Sequence, residues 1–223
     1  MNQFQPNTQF SVFPPAVKHL LIINVLFFVA RMTPGIDQYL MAFLALWPVQ
    51  AGIGLFPGDP MIFYPWQLVS YMFLHGGMSH VFFNLFALWI FGQSIENVWG
   101  TRRFAWYYIL TGIGAGLLHL FVNLGVDPVM TSQGLRYIPT LGASGAVYGI
   151  LLAFAYMFPN REIFLIFLPI PIKAKYFVII FGGLDFIAGV SGMQTGVAHF
   201  AHLGGMLAGY ILIKYWGIRR GDL

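Results

Sequence analysis

The chain has 223 residues, of which 58% are hydrophobic, 18% aromatic and only 8% charged. Soluble globular domains carry about 25% charged residues, so 11 basic and 7 acidic side chains are too few to cover a water-soluble particle of this size. The same composition excludes a disordered chain, and the absence of cysteine excludes disulfides, thiolate metal sites and cysteine nucleophiles. The sequence therefore predicts a polytopic membrane protein, and its net charge of +4 is interpreted as a topology signal rather than a nucleic-acid-binding surface.

Six segments are apolar enough to cross a bilayer, which takes about 20 mostly apolar residues. In chain order they cover 15–33, 77–97, 104–123, 141–159, 175–191 and 196–216. The first segment is too long for a cleavable signal sequence, and no small-residue cleavage site follows it. We therefore predict an all-α fold, a bundle of six transmembrane helices in one domain over 15–217, with short tails at 1–14 and 218–223.

The placement of basic residues orients this bundle. With six spans, nine of them fall on the side of the two termini, and only Arg31 and Arg136 fall on the other side. The nine are Lys18, Arg102, Arg103, Arg161, Lys173, Lys175, Lys214, Arg219 and Arg220. Because Lys and Arg concentrate in cytoplasmic loops, both termini are predicted to be cytoplasmic.

A further uncharged stretch of 21 residues lies between Asp37 and Asp59. Counting it as another span moves only Lys18 and Arg31 between sides, so the charge ratio does not decide its nature. Its prolines and glycines disfavour a continuous helix, and its aromatic residues suit the lipid headgroup level. We therefore predict that 34–66 is a large external loop lying in the membrane interface.

Few strongly polar side chains lie in the predicted spans, where such groups are costly and commonly functional. His80 and Asn84 are four residues apart and so share one face of the second span. Ser144 lies about three residues into the fourth span and His202 about six residues into the sixth. Because these three spans run inward from the outside, all four side chains are expected at similar depth in the outer half of the bilayer.

Glycines predict which helices approach closely, because they leave no side chain between two backbones. The pairs are Gly145 with Gly149 beside Ser144, and Gly205 with Gly209 on the stripe of His202. If these stripes face each other, the serine and the histidine meet at the top of a tight helix pair.

This arrangement suits nucleophilic hydrolysis, because a serine hydroxyl needs a base within hydrogen-bond reach. The backbone N–H of Ser144, His80 and the amide of Asn84 are available donors for a tetrahedral oxyanion. No carboxylate lies at a helical spacing that would pair it with His202, so a Ser–His dyad is favoured over a triad. His119 and Asp185 are interpreted as structural.

Three segments together resemble the rhomboid intramembrane serine proteases. They are HGGMSHVFFN (75–84), GASGAVYG (142–149) and HFAHLGGMLAG (199–209). The resemblance covers the six-span core, and the sequence is similar to the minimal bacterial-type form of the family. It implies that Ser144 is the nucleophile and His202 the general base.

The same resemblance assigns supporting roles. It implies that His80, Asn84, Gly142 and Tyr148 form the oxyanion- and substrate-binding part of the site, with Tyr148 packed against the catalytic imidazole. It also implies that His75 is structural and hydrogen-bonds the external loop. The segment at 96–103 resembles the family's cytoplasmic turn after the second span. His199 lies nearly a turn closer to the outside than His202 and is expected to line the cavity mouth or bond a loop.

The expected function is hydrolysis of peptide bonds in or near transmembrane segments of membrane proteins, close to the external face. No cofactor and no metal are expected for this chemistry, the partners are the substrate and the lipid bilayer, and the location is a bacterial cytoplasmic membrane. One alternative is a non-catalytic rhomboid-like factor that binds membrane proteins, which would be expected to lack the serine or the histidine. Another is a transporter or channel, which needs a path of polar residues across the bilayer. In this sequence the polar residues of the second, fourth and sixth spans do not continue into the cytoplasmic half.

Overall fold

A computed structural model describes residues 10–52, 62–125, 129–131, 134–165, 168–191 and 198–219. The predicted tail residues 1–9 and 220–223, and residues 53–61 of the predicted external loop, lie outside this part of the chain. The described chain is mostly helical. Its α-helices are α1 (Pro15–Arg31), α2 (Ile36–Leu44), α3 (Gln67–Ser70), α4 (Met78–Trp99), α5 (Thr101–Val122), α6 (Ser144–Met157), α7 (Ala174–Val190) and α8 (His199–Tyr215).

Two of the described helices, α4 and α5, have 22 residues each and are long and apolar enough to cross a membrane. Helices α1, α7 and α8 have 17 residues each and α6 has 14, and each overlaps one of the other predicted spans. The number of six spans therefore stays a prediction. Helix α7 turns large apolar side chains outward, among them Ile179, Leu184 and Phe186, and such exposed apolar surface suits lipid.

Helix α8 packs against α5, α6 and α7. A Cβ atom on Gly205 would lie 1.9 Å from the backbone oxygen of Gly145, and one on Gly209 would lie 3.4 Å from the Cα of Gly149. The backbones of α6 and α8 are therefore in direct contact, as the two glycine pairs predicted. The hydroxyl of Tyr107, which is fully buried in α5, donates to the carbonyl of Gly149 over 2.8 Å and adds a third helix to this contact.

The predicted external loop contains no continuous span in its described part. Helix α2 ends at Leu44, and only a short 3₁₀ turn follows at Val49–Gly52. Leu46 and Thr140 exchange two backbone hydrogen bonds of 2.9 Å each. The amide of Gly142 donates to the carbonyl of Tyr71 over 3.0 Å. These bonds fix the segment that leads into α6, and with it the position of Ser144.

The structure departs from a purely α-helical fold in two short antiparallel hairpins. They are β1 (Val129–Thr131) with β2 (Gly134–Arg136), and β3 (Glu162–Leu165) with β4 (Leu168–Lys173). The second hairpin contains the prolines of the LPIPIK segment, which cannot continue a helix. Glu162 pairs with Lys173 across it, so opposite charges meet at its open end.

The end of α4 anchors the start of α1. The carboxylate of Glu96 is buried and accepts hydrogen bonds of 2.8 Å from the backbone amides of Ala16 and Val17. These are amides of the first turn of α1, which have no partner inside the helix. Glu96 thus supplies acceptors for the first amides of α1, whose N-cap residue Pro14 makes no side-chain capping hydrogen bond.

Candidate active site

Ser144 and His202 are brought together by the contact between α6 and α8. Ser144 is the first residue of α6, and His202 lies in the first turn of α8. The hydroxyl Oγ of Ser144 and Nε2 of His202 are 2.9 Å apart, within hydrogen-bond distance. The two residues are 58 positions apart in the sequence, so it is the close helix packing that joins them.

Tyr148 lies one turn after Ser144 on α6. Its ring stacks on the imidazole of His202, with centroids 4.1 Å apart and planes 11° from parallel. The stack covers one face of the imidazole and restricts its rotation. The orientation of Nε2 toward Ser144 is thereby held from the same helix that carries the serine.

The expectation that no carboxylate pairs with His202 is wrong. Nδ1 of His202 is 3.2 Å from both carboxylate oxygens of Asp185, which lies on α7. The spacing argument considered only helical spacing along one span, whereas Asp185 reaches His202 from a neighbouring helix 17 positions earlier. Its isolated position in an apolar span was the signal that could have found it, because ionisable residues in spans are commonly functional.

His199 contacts α7, which was not predicted. Its Nδ1 is 2.6 Å from Oδ1 of Asp185. Its side chain is only 12% exposed, which does not fit a residue lining the cavity mouth. One carboxylate therefore faces two imidazoles, and Ser144, His202 and Asp185 form a continuous chain of hydrogen-bond contacts.

The residues expected to bind the oxyanion surround Ser144. Gly142 has a φ of +124°, and a Cβ there would lie 2.7 Å from Nε2 of His80 and 3.8 Å from Oγ of Ser144. Glycine is needed at this position because of both its backbone conformation and the closeness of the His80 ring. The amide nitrogen of Asn84 donates to the carbonyl of His80 over 2.9 Å, which leaves its second N–H available for another acceptor.

The histidines outside this cluster make structural contacts. Nε2 of His119 is 2.7 Å from Oγ1 of Thr140, which ties α5 to the segment before α6. The backbone carbonyl of His75 accepts a hydrogen bond from Arg31, and Arg31 also pairs with Asp37 at 2.6 Å. His75 thus connects to the start of the external loop through its backbone. Burial, with a smaller contribution from the nearby His80, lowers the pKa of His75 to about 3, so its ring is neutral.

A cavity of about 760 Å³ opens beside Ser144. Asn84, Ser144 and Tyr148 line it together with Phe177 and Phe181 of α7. It extends between α4, α6 and α7 as far as Arg161. The space beside the serine is therefore a mostly apolar groove that can receive an extended segment of an apolar chain.

The chain is similar to a family model and to several known proteins. Residues 63–219 match the family model of the Rhomboid domain. The chain is 32% identical over 154 residues to rhomboid protease GluP of Bacillus subtilis, covering 69% of this chain and 26% of that protein. It is 30% identical over 154 residues to rhomboid protein 1 of Saccharomyces cerevisiae mitochondria, covering 65% and 40%. It is also 32% identical over 151 residues to the human presenilin-associated rhomboid-like protein, covering 64% and 36%. The chain thus spans less than half the length of these curated relatives.

Proposed function

The chain belongs to the rhomboid family, and from this membership we propose that it is an intramembrane serine endopeptidase that cleaves transmembrane proteins. The observation that carries the proposal is the 2.9 Å contact between Oγ of Ser144 and Nε2 of His202. This is the distance at which a general base activates a nucleophile. The alternative, a non-catalytic binding factor, gives no reason for this contact.

In the first step, Nε2 of His202 takes the proton of Ser144 as Oγ attacks the carbonyl carbon of the scissile bond. The carbonyl oxygen becomes a tetrahedral oxyanion, which needs fixed donors. We assign this role to the backbone N–H of Ser144, to His80 and to the amide of Asn84. Gly142 contributes by leaving space for the ring of His80 next to the serine.

In the second step, the protonated His202 gives its proton to the leaving amine, and the acyl group stays on Ser144. A water molecule then loses a proton to Nε2 and attacks the acyl carbon. His202 returns this proton to Oγ as the acid product leaves. The cycle restores both residues and consumes one water for each peptide bond.

Asp185 acts through His202 as a positioning residue. An ionised carboxylate only accepts hydrogen bonds, so the 3.2 Å contacts to Nδ1 of His202 place the ring proton on Nδ1. Nε2 is then unprotonated and free to accept the proton of Ser144. The dyad favoured from the sequence is therefore extended to a Ser–His–Asp arrangement.

We place the site in an integral membrane protein with six spans over 15–217, tails at 1–14 and 218–223, and both termini cytoplasmic. The family is one of membrane proteins, and the described helices expose apolar side chains outward. The similar proteins come from a bacterium and from mitochondria, so they support a membrane location without selecting the bacterial membrane. The bacterial cytoplasmic membrane and the minimal form stay predictions.

The substrate is a membrane protein whose chain lies in the groove beside Ser144. Because a helix hides its carbonyls in internal hydrogen bonds, the substrate must unwind near the cleavage site. We therefore expect small or helix-breaking residues there.

The test is labelling of the detergent-solubilised chain with a fluorophosphonate, which modifies an activated serine. The wild type is expected to be labelled and to cleave a model transmembrane substrate, while Ser144→Ala and His202→Ala do neither. His199→Ala is expected to retain most of the labelling, because His199 is not in contact with Ser144. Absence of labelling in a folded wild-type protein would favour the non-catalytic alternative.

A further inference from the structure

The side chains of Asp185, His199 and His202 form a cluster with the composition of a metal-binding site. One ligand atom each from Asp185, His199 and His202 lie within 4.8 Å of one another. The side chains are 8%, 12% and 9% exposed, so their donor atoms are largely removed from water. Two imidazole nitrogens and a carboxylate oxygen are a common ligand set for zinc and other divalent transition metals.

The distances fit such an ion with small movements. Zinc–ligand bonds of about 2.0–2.2 Å in a tetrahedral arrangement separate neighbouring ligand atoms by roughly 3.3 Å. The carboxylate of Asp185 lies 2.6 Å from Nδ1 of His199 and 3.2 Å from Nδ1 of His202. The first of these pairs would have to open by about 0.7 Å, and the nitrogens of His199 and His202, which lie no more than 4.8 Å apart, would have to approach by up to about 1.5 Å. The stack of Tyr148 on His202 already holds one ligand in place.

We propose that Asp185, His199 and His202 bind a Zn²⁺ ion that reversibly inhibits the enzyme, with a water molecule as its fourth ligand. The ion is an inhibitor and takes no part in hydrolysis. Zinc binding follows from the ligand geometry alone, whereas the inhibition rests on the proposed function.

The inhibition follows from the proton positions on His202. A neutral imidazole carries one proton, and it lies on Nδ1 when Asp185 accepts it. Zinc coordinated at Nδ1 replaces this proton, so the neutral ring must carry its proton on Nε2. Nε2 then donates to Oγ of Ser144, 2.9 Å away, and cannot accept the serine proton. Zinc at Nδ1 of His199 displaces the proton of that ring in the same way. Each imidazole thus moves one proton from Nδ1 to Nε2 through solvent, and no redox partner is needed.

The first measurement is zinc binding itself. The full-length chain in detergent is stripped with EDTA, dialysed against buffered Zn²⁺ alone, and its bound zinc is counted per chain. We expect one equivalent in the wild type. His199→Asn keeps a side-chain amide that can donate to Asp185 but is a poor zinc ligand, so it is expected to weaken binding by at least 10–100-fold, the cost of losing even an outer-shell partner.

Matched variants identify the site. Asp185→Asn is expected to weaken binding as His199→Asn does, whereas Ser144→Ala is expected to bind like the wild type because the hydroxyl is not a ligand. His19→Ala is the histidine control, since His19 is exposed in α1 and its Nδ1 contacts the carbonyl of Pro15. Less than one equivalent in the wild type at saturation, or unchanged binding in both His199→Asn and Asp185→Asn, would overturn the site.

The second measurement is fluorophosphonate labelling with and without zinc, each variant normalised to its own metal-free rate. Zinc is expected to suppress labelling of the wild type and of His19→Ala, and EDTA is expected to restore it. Labelling of His199→Asn is expected to be the same with and without zinc. Zinc binding that requires these residues but leaves labelling unchanged would refute the inhibition. If the metal-free wild type is not labelled at all, the peptidase proposal fails, and the zinc count still decides the metal site.

Discussion

Asp185 shares one carboxylate between two imidazoles. Its two oxygens accept from Nδ1 of His202 and from Nδ1 of His199, over 3.2 Å and 2.6 Å. Both rings can keep their proton on Nδ1 because an ionised carboxylate only accepts hydrogen bonds. The carboxylate therefore selects the form of His202 that is able to act as a base.

Asp185→Asn tests this selection. An amide has one acceptor oxygen and one NH₂ donor group, so a donor replaces one carboxylate oxygen and favours an unprotonated Nδ1 on the imidazole that it faces. We expect kcat to fall by about 10²–10⁴-fold, the range for disabling a positioned proton-transfer group, with KM for a model transmembrane substrate unchanged. Kinetics over a substrate series separate the two constants. A raised KM with unchanged kcat, or loss of the folded state as seen by its thermal midpoint, would assign Asp185 to structure alone.

Asn84 is expected to act on the oxyanion. One of its N–H groups is bound to the carbonyl of His80 and the other is available beside the cavity. Asn84→Ala is expected to lower kcat by up to about 10²–10³-fold, the cost of one oxyanion-hole donor. Single-turnover cleavage measures this step directly. An unchanged rate combined with a lower thermal midpoint would make Asn84 an interhelical contact only.

The contact between α6 and α8 is the element that assembles the site. Gly205 faces the backbone of Gly145 so closely that no side-chain atom fits between them. Ser144 precedes this contact on α6, and His202 lies one turn before it on α8. Any separation of the two helices therefore lengthens the distance between nucleophile and base.

Gly205→Ala tests this dependence, with Gly183→Ala as its control. The added methyl group at 205 would lie 1.9 Å from the oxygen of Gly145, whereas at 183 nothing lies within 4 Å. Overpacking of this kind costs about 1–3 kcal/mol or more, so Gly205→Ala is expected to lower the thermal midpoint and to abolish labelling. Gly183→Ala is expected to leave both unchanged. Equal labelling of the two variants would show that helix separation does not control the site.

The orientation of the whole bundle follows from its charges. Nine basic residues lie on one predicted side and two on the other, and the described helices expose apolar side chains that suit lipid. Ser144 and His202 each lie at the start of a helix, and the predicted topology is expected to place both toward the outside.

A reporter fused after Leu223 tests this topology. An enzyme that is active only in the cytoplasm is expected to be active there, and one that requires export is expected to be inactive, because an even number of spans returns the chain to its starting side. The same pair of reporters fused after Asn123 is expected to give the opposite result. An external reading at Leu223 would overturn the prediction of six spans with both termini cytoplasmic.

Much of this protein could be predicted from local pattern. Apolar segment lengths, basic-residue placement and glycine spacing predicted the helices and the contact between the stripes of Gly145 and Gly205. These features follow from neighbours along one helix, and such neighbours are determined by spacing alone. The same reasoning predicted that His80, Asn84, Ser144 and His202 share one layer; Ser144 and His202 are in contact, and the common layer stays a prediction.

Contacts between helices that no glycine stripe marks could not be predicted in this way. The two hairpins were not predicted, because the pairing of β1 with β2 and of β3 with β4 depends on contacts between segments rather than on helical spacing. The link from Asp185 to His202 depends on how α7 turns against α8, and no periodicity records that rotation. The apolar helices and the contact between Ser144 and His202 could thus be predicted from the sequence, because residue type and glycine spacing indicate them. The carboxylate between two histidines was decided by the tertiary packing of α7 on α8, because only that packing brings side chains of separate helices within hydrogen-bond distance.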